Sequence, residues 1–103
     1  MIFYIILKEG DLMYKLLIVE DDFIIAKGLQ KHFEKYHYDV QYIEDFEHVL
    51  DEFLEFQPDL VLLDIHLPFF DGYYWCQEIR KISQVPIVFI SSANENMNIV
   101  LAM

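Results

Sequence analysis

Three short, almost unbroken aliphatic runs limit what this chain can fold into: Leu16-Leu17-Ile18-Val19, Leu60-Val61-Leu62-Leu63 and Ile87-Val88-Phe89-Ile90. A strand that alternates apolar and polar residues can leave one face in water, but a strand apolar on both faces has to be covered on both. Buried strands of this kind belong to a parallel sheet sandwiched between helices.

The segments between the runs have helical periodicity. From Phe23 to Tyr36 the residues Ile25, Leu29 and Phe33 share one face, with Lys27, Gln30, Lys31 and Glu34 elsewhere. A second, weaker strand is read over Tyr38 to Ile43, with Asp45 placed to cap the helix after it. In that helix Phe46, Val49, Leu50, Phe53, Leu54 and Phe56 recur at three- and four-residue steps, as a core-facing stripe does. The third strand, Asp59 to Asp64, is introduced by Pro58 and broken by Pro68 and Gly72. A third helix carries Trp75, Ile79 and Ile82, a fourth strand runs from Val85 to Ser92, and Asn94 to Met103 reads as the first turns of another helix. No internal repeat or low-complexity linker is visible. Strands joined by helices imply right-handed crossovers, and in such sheets ligands bind at the carboxyl ends of the strands.

The chain of 103 residues fits one small domain, and a 55% hydrophobic content calls for a packed core. Eighteen acidic residues against 7 basic ones give a formal charge of −11, which repels a phosphate backbone and excludes direct nucleic-acid binding by this segment. A cation or a basic surface is the better match. The single cysteine, Cys76, permits neither an internal disulfide nor a cysteine zinc site and suits a cytoplasmic protein. The opening MIFYIILKEG has no basic segment before its apolar stretch and no small-residue cleavage site after it, and it is too short to span a membrane.

The strand ends hold the chemistry. Strand one ends in Glu20-Asp21-Asp22, strand three in Asp64 and strand four in Ser91-Ser92. If strands one and three are neighbours, several carboxylates converge and each raises the free energy of the others when ionised. A hard divalent cation resolves that conflict, and Mg2+ fits because it takes one or two carboxylates, keeps waters and leaves room for phosphate oxygens. The plainer reading, acids as helix caps, applies best to Asp22.

In this order and at these separations, "LLIVEDD", "PDLVLLDIHLP..DG" and "VPIVFISSA" resemble the receiver domain of bacterial two-component response regulators, over Lys15 to Met103. "DGYYWCQEIR" is most similar to the OmpR/PhoB-type regulators of the BceR/GraR group, which respond to bacitracin and cationic antimicrobial peptides. The resemblance implies a flavodoxin-like (CheY-like) α/β fold, a doubly wound parallel sheet in the order 2-1-3-4, with strand five and helix five missing from this chain. It implies Asp64 as phosphoacceptor, Mg2+ bound by Asp64, by Asp21 directly, by Glu20 through water and by the backbone carbonyl of His66. Ser91 matches the switch hydroxyl and Ser92 the adjacent small position, while His66 and Ala93 flank the path of a water that attacks the acyl phosphate. The implied partner is a sensor histidine kinase, and the implied role is a phosphoacceptor module rather than a turnover enzyme.

The family's fifth strand ends in a lysine and proline, and no residue here matches that lysine. The aromatic switch residue of strand five, the face of helix four, strand five and helix five used for homodimers of the full-length form, and the DNA-binding winged helix of the OmpR/PhoB class are expected to be absent as well. Strand four is then expected to be an exposed sheet edge. At the other end residues 1–14 form an extra segment before the partial receiver of residues 15–103. Met13-Tyr14-Lys15 looks like a normal start, and Lys8-Glu9-Gly10 can be encoded by a stretch resembling a ribosome-binding site, so residues 1–12 read as translated leader. The competing reading makes Ile2 to Leu7 a real strand on an open edge.

Two other functions remain. One is a truncated receiver acting only as an interaction fragment; the other is a small Mg2+-dependent phosphohydrolase of the haloacid dehalogenase type. The latter class carries a second aspartate two residues past its nucleophile, where this chain has His66. His66 lacks a second histidine at ligand spacing and reads as a pocket-rim residue, and His32, His37 and His48 read as surface positions. Tyr73, Tyr74 and Trp75 read as partly core, Cys76 as a small buried hydrophobe, and Asp71-Gly72 as a turn.

Overall fold

The computed structural model describes residues 13–91 and 98–102. Its elements in chain order are β1 (Lys15–Val19), α1 (Phe23–Glu34), β2 (Asp39–Tyr42), α2 (Val49–Phe56), β3 (Leu60–Asp64), α3 (Gly72–Arg80), β4 (Ile87–Ser91) and β5 (Asn98–Ala102). The sheet order is β2-β1-β3-β4-β5. Its first four strands are parallel, in the expected order 2-1-3-4.

Both faces of the strands are buried, as their unbroken apolar character requires. Leu17, Val19, Val61, Leu63, Ile87 and Phe89 pack against α2 and α3 through Val49, Phe53, Phe56, Trp75 and Ile79. The alternate residues Leu16, Ile18, Val40, Leu62 and Val88 face the side of α1, where Ala26 is the buried helical residue and Leu29 and Phe33 pack around it. This two-sided burial leaves only the strand ends free to hold polar groups.

Local chemistry sets the helix starts. Asp22 caps α1, its Oδ1 accepting from the backbone N–H groups of Ile24 at 3.0 Å and Ile25 at 3.3 Å. Asp71 caps α3 in the same way by accepting from Tyr74 N–H at 2.9 Å. Asp45 departs from expectation. It accepts from Glu47 N–H and pairs with His48 Nδ1, so its carboxylate closes the turn before α2, and His48 stands at the N-cap without capping the helix through its side chain.

Four further expectations are corrected. Leu54 and Ile82 fit the apolar stripes by spacing but are exposed, Leu54 on the outer side of α2 and Ile82 beyond the last turn of α3. Cys76 is half-buried rather than buried. Of the three aromatics opening α3, Trp75 alone is core, and Tyr73 and Tyr74 are exposed. Asn98 to Ala102, expected to be helical, forms a strand that pairs antiparallel with β4, Ser91 opposite Asn98 and Ile87 opposite Ala102. The free edge of β4 offers backbone groups that need partners, and Ile99 and Val100 are β-branched, so pairing wins over a helix. The edge of β4 is therefore covered. The leader segment 1–12, with its possible strand Ile2 to Leu7, and Ser92 and Ala93 lie outside the described residues.

Candidate functional site

Register brings the acids together. Val19 of β1 is the partner of Leu63 in β3, so the next residues along, Glu20 and Asp64, emerge side by side at the carboxyl ends of neighbouring strands. Both are closed to solvent, Glu20 at 2% and Asp64 at 1% exposure. Asp21 follows on the exposed rim, held there because α1 begins immediately afterwards at the Asp22 cap. One carboxylate oxygen from each of Glu20, Asp21 and Asp64 lies within 4.8 Å of the others, the only group of metal-binding type among the described residues.

Backbone donors fix two of these carboxylates. Glu20 Oε1 accepts from Asp22 N–H at 3.2 Å, and Asp64 Oδ1 accepts from His66 N–H at 3.2 Å. Glu20 Oε2 is buried and meets no donor. Burial, the hydrogen bond to Asp64 and the negative charge of Asp64 push the Glu20 carboxyl up to about 8, against a smaller opposing effect of the Asp22 N–H. With a proton Glu20 can donate to Asp64; without it the two buried charges confront each other. Oxygen donors alone, one of them orphaned and two of them buried, suit a hard divalent cation that prefers carboxylates.

The remaining expected residues surround this cluster. His66 is exposed beside the site, and its contact with Asp64 is through its N–H. Ser91 ends β4, half-buried, one position past Ile90, which is the partner of Asp64 across the sheet. Gly72 is the residue whose part sequence reasoning underrated by reading it as a turn. It is buried, its N–H donates to the Ile65 carbonyl at 2.9 Å, and a Cβ there would run into the carbonyl of Asp64 and crowd Ile65 Cα. The first turn of α3 thus rests directly on the backbone that carries Asp64. The Asp-Gly pair after the loop was the only available signal, because close backbone approach is a property glycine alone supplies.

No helix among the described residues is long and apolar enough to cross a membrane. Comparison with known proteins matches residues 16–103 to the family described as response regulator receiver domain. The transcriptional regulatory protein YvcP of Bacillus subtilis (strain 168) is 53% identical over 90 residues, covering 87% of this chain and 38% of that protein. The response regulator protein GraR of Staphylococcus aureus (strain JH9) is 44% identical over 89 residues, covering 86% of this chain and 40% of GraR. Among solved structures, the N-terminal domain of the nisin resistance regulator NsrR, a lantibiotic response regulator, superposes with a TM-score of 0.72 at 46% identity. That match covers 82% of this chain and 72% of the other. The chain therefore spans about 40% of the length of the curated relatives it matches.

Proposed function

The chain belongs to the response regulator receiver domain family, and on that premise we propose that Asp64 is its phosphoryl acceptor, served by Mg2+ held at Glu20, Asp21, Asp64 and the backbone carbonyl of His66. It is a signalling domain, not a classical enzyme, and the family assignment takes precedence over the hydrolase reading. The observation that supports the acceptor role is the convergence of three carboxylates at the strand ends around the buried, orphaned Glu20 Oε2.

The chain's own groups supply positioning. The His66 N–H fixes the plane of the Asp64 carboxylate, and Gly72 fixes the backbone beneath it. Asp64 attacks the phosphorus of a phosphohistidine on a sensor kinase; an O–P bond forms as the P–N bond breaks, and the histidine leaves with its electron pair. When bound, Mg2+ supplies the positive charge that lets the carboxylates and the transferring phosphoryl oxygens occupy one crevice. Ser91, at the end of β4, is the switch hydroxyl that turns toward the phosphoryl group. His66 stands on the path of the water that later hydrolyses the acyl phosphate, so its side chain tunes the lifetime of the signal.

In this reading residues 15–103 form the receiver and residues 1–14 an addition in front of it. The setting is cytoplasmic, the phosphodonor is a sensor histidine kinase, and in a longer regulator the receiver controls a DNA-binding output and homodimerisation. Incubation with Mg2+ and acetyl phosphate followed by intact-mass measurement tests the acceptor. Gain of one phosphoryl group that Asp64→Asn loses is the expected result. An unmodified wild-type chain would replace this reading with that of an interaction fragment.

A further inference from the structure

The loop after β3 contains a strain that phosphoryl transfer does not account for. Phe70 N–H donates to the Pro68 carbonyl at 2.8 Å across Phe69, whose φ is 68°. A bond closed over one left-handed residue is the rare, strained form of the γ-turn, and a bulky residue is a poor occupant of it. Glycine would take this conformation freely. Phenylalanine stands there instead, with 70% of its surface in water.

Its neighbours extend the same surface. Phe70 stacks on Tyr74 with ring centroids 4.3 Å apart and planes 20° from parallel, and Tyr73 packs at 5.2 Å against Phe89. Phe70, Tyr73 and Tyr74 nevertheless remain exposed. Four exposed aromatic residues thus lie within six positions, Phe70 and Tyr74 held by stacking on each other, Tyr73 by Phe89 and Phe69 by the turn, so ordering them on binding costs little entropy. Rigid exposed aromatics in one patch mark an interaction surface.

Charge identifies the occupant. Between Tyr36 and Ile79 lie eleven of the chain's 18 acidic residues and none of its 7 lysines and arginines. This stretch contains α2 and all of α3 but its last two residues, Ile79 and the basic Arg80; the two helices cover the same face of the sheet, and exposed Asp71 lies between Phe70 and Tyr73. A second copy docked through this face would set acid against acid, and an anionic lipid surface would be repelled.

We propose that Phe69, Phe70, Tyr73 and Tyr74 form a docking platform for a basic amphipathic helix of a partner protein. Apolar residues at helical spacing lie on the rings, and lysines or arginines face the acidic surround. The strained turn holds Phe69 outward as an anchor.

The probe is a fluorescein-labelled peptide of about 18 leucine and lysine residues with its leucines at i, i+3, i+4 and i+7 spacing. It is titrated into the full chain at physiological ionic strength. The wild type binds it about tenfold more tightly than a scrambled peptide of equal charge. Phe69→Gly raises the melting temperature, because the strain is relieved, and weakens the peptide about tenfold, whereas Phe69→Trp restores affinity. Equal binding of the scrambled peptide would reduce the effect to bulk charge and overturn the proposal. Unchanged affinity in Phe69→Gly would overturn it too, as would sedimentation of the wild type with phosphatidylcholine vesicles in place of peptide binding.

Discussion

The carboxyl groups of Glu20 and Asp64 converge at the ends of β1 and β3, both shut off from solvent, and Glu20 Oε2 faces no donor. Because burial and Asp64 push Glu20 up to about 8 from 4.5, the native state holds a proton that the unfolded chain releases once the pH passes 4.5. The contribution of this pair to stability is therefore full below 4.5, falls as the pH rises from 4.5 to 8, and levels off above 8. Metal-free chain should show a lower unfolding free energy in urea titration at pH 8.5 than at pH 5, by on the order of a few kcal/mol. Glu20→Gln should flatten that slope. A midpoint independent of pH in the wild type would mean that the pair does not share its proton.

A cation reverses the sign. Binding displaces the Glu20 proton, so Mg2+ affinity should rise with pH up to about 8. The stabilisation it gives at a hundredfold excess over its dissociation constant is about 2.7 kcal/mol. Trp75, the only tryptophan, is a core residue in the first turn of α3, the turn whose Gly72 packs on the Asp64 backbone, and provides a fluorescence readout. Addition of Mg2+ should change that fluorescence, and EDTA should restore it. No change in either fluorescence or melting temperature would argue against a cation site.

Adjacent aspartates should separate. Asp21 offers a site oxygen, whereas Asp22 spends its carboxylate on the N–H groups of Ile24 and Ile25. Asp22→Ala should cost about 1 kcal/mol of stability and leave Mg2+ binding intact. Asp21→Asn should weaken Mg2+ binding with little change in stability. Denaturation and Mg2+ titration on the two variants decide the matter, and loss of cation binding in Asp22→Ala would show the cap and the site to be one unit.

The same residues show what the sequence could and could not convey. An aliphatic run broken by an acid, as at Val19-Glu20 or Leu63-Asp64, is legible because burial and charge conflict within two positions. Asp22 was legible as a cap because an apolar helical stripe follows at once. Asp45 has the same appearance, yet a turn to His48 intervenes and absorbs its carboxylate. Asn98 to Ala102 is a short apolar stretch that fits helix or strand, and the unpaired edge of β4 decides, which no local pattern encodes. Leu54 and Ile82 satisfy the spacing of a core stripe, but the neighbouring elements do not reach them. The positive φ of Phe69 is illegible, since nothing in phenylalanine favours it.

Two glycines of the chain make opposite predictions. At Gly72 a Cβ would meet the Asp64 carbonyl and Ile65 Cα, both backbone atoms unable to move without shifting β3. Gly72→Ala should therefore destabilise by about 1–3 kcal/mol, typical of overpacking, and should displace Asp64 enough to weaken Mg2+ binding as well. Gly28 lies mid-helix in α1, exposed, with nothing within 4 Å of where its Cβ would stand. Gly28→Ala should stabilise by about 0.5–1 kcal/mol, because alanine loses less backbone entropy in a helix and meets no obstacle. Chemical denaturation of both variants, with Mg2+ titration of each, compares the same added methyl group at two places. A tolerated Gly72→Ala with unaltered Mg2+ affinity would show that α3 is free to move away from β3, and the account of how Asp64 is held would have to be replaced.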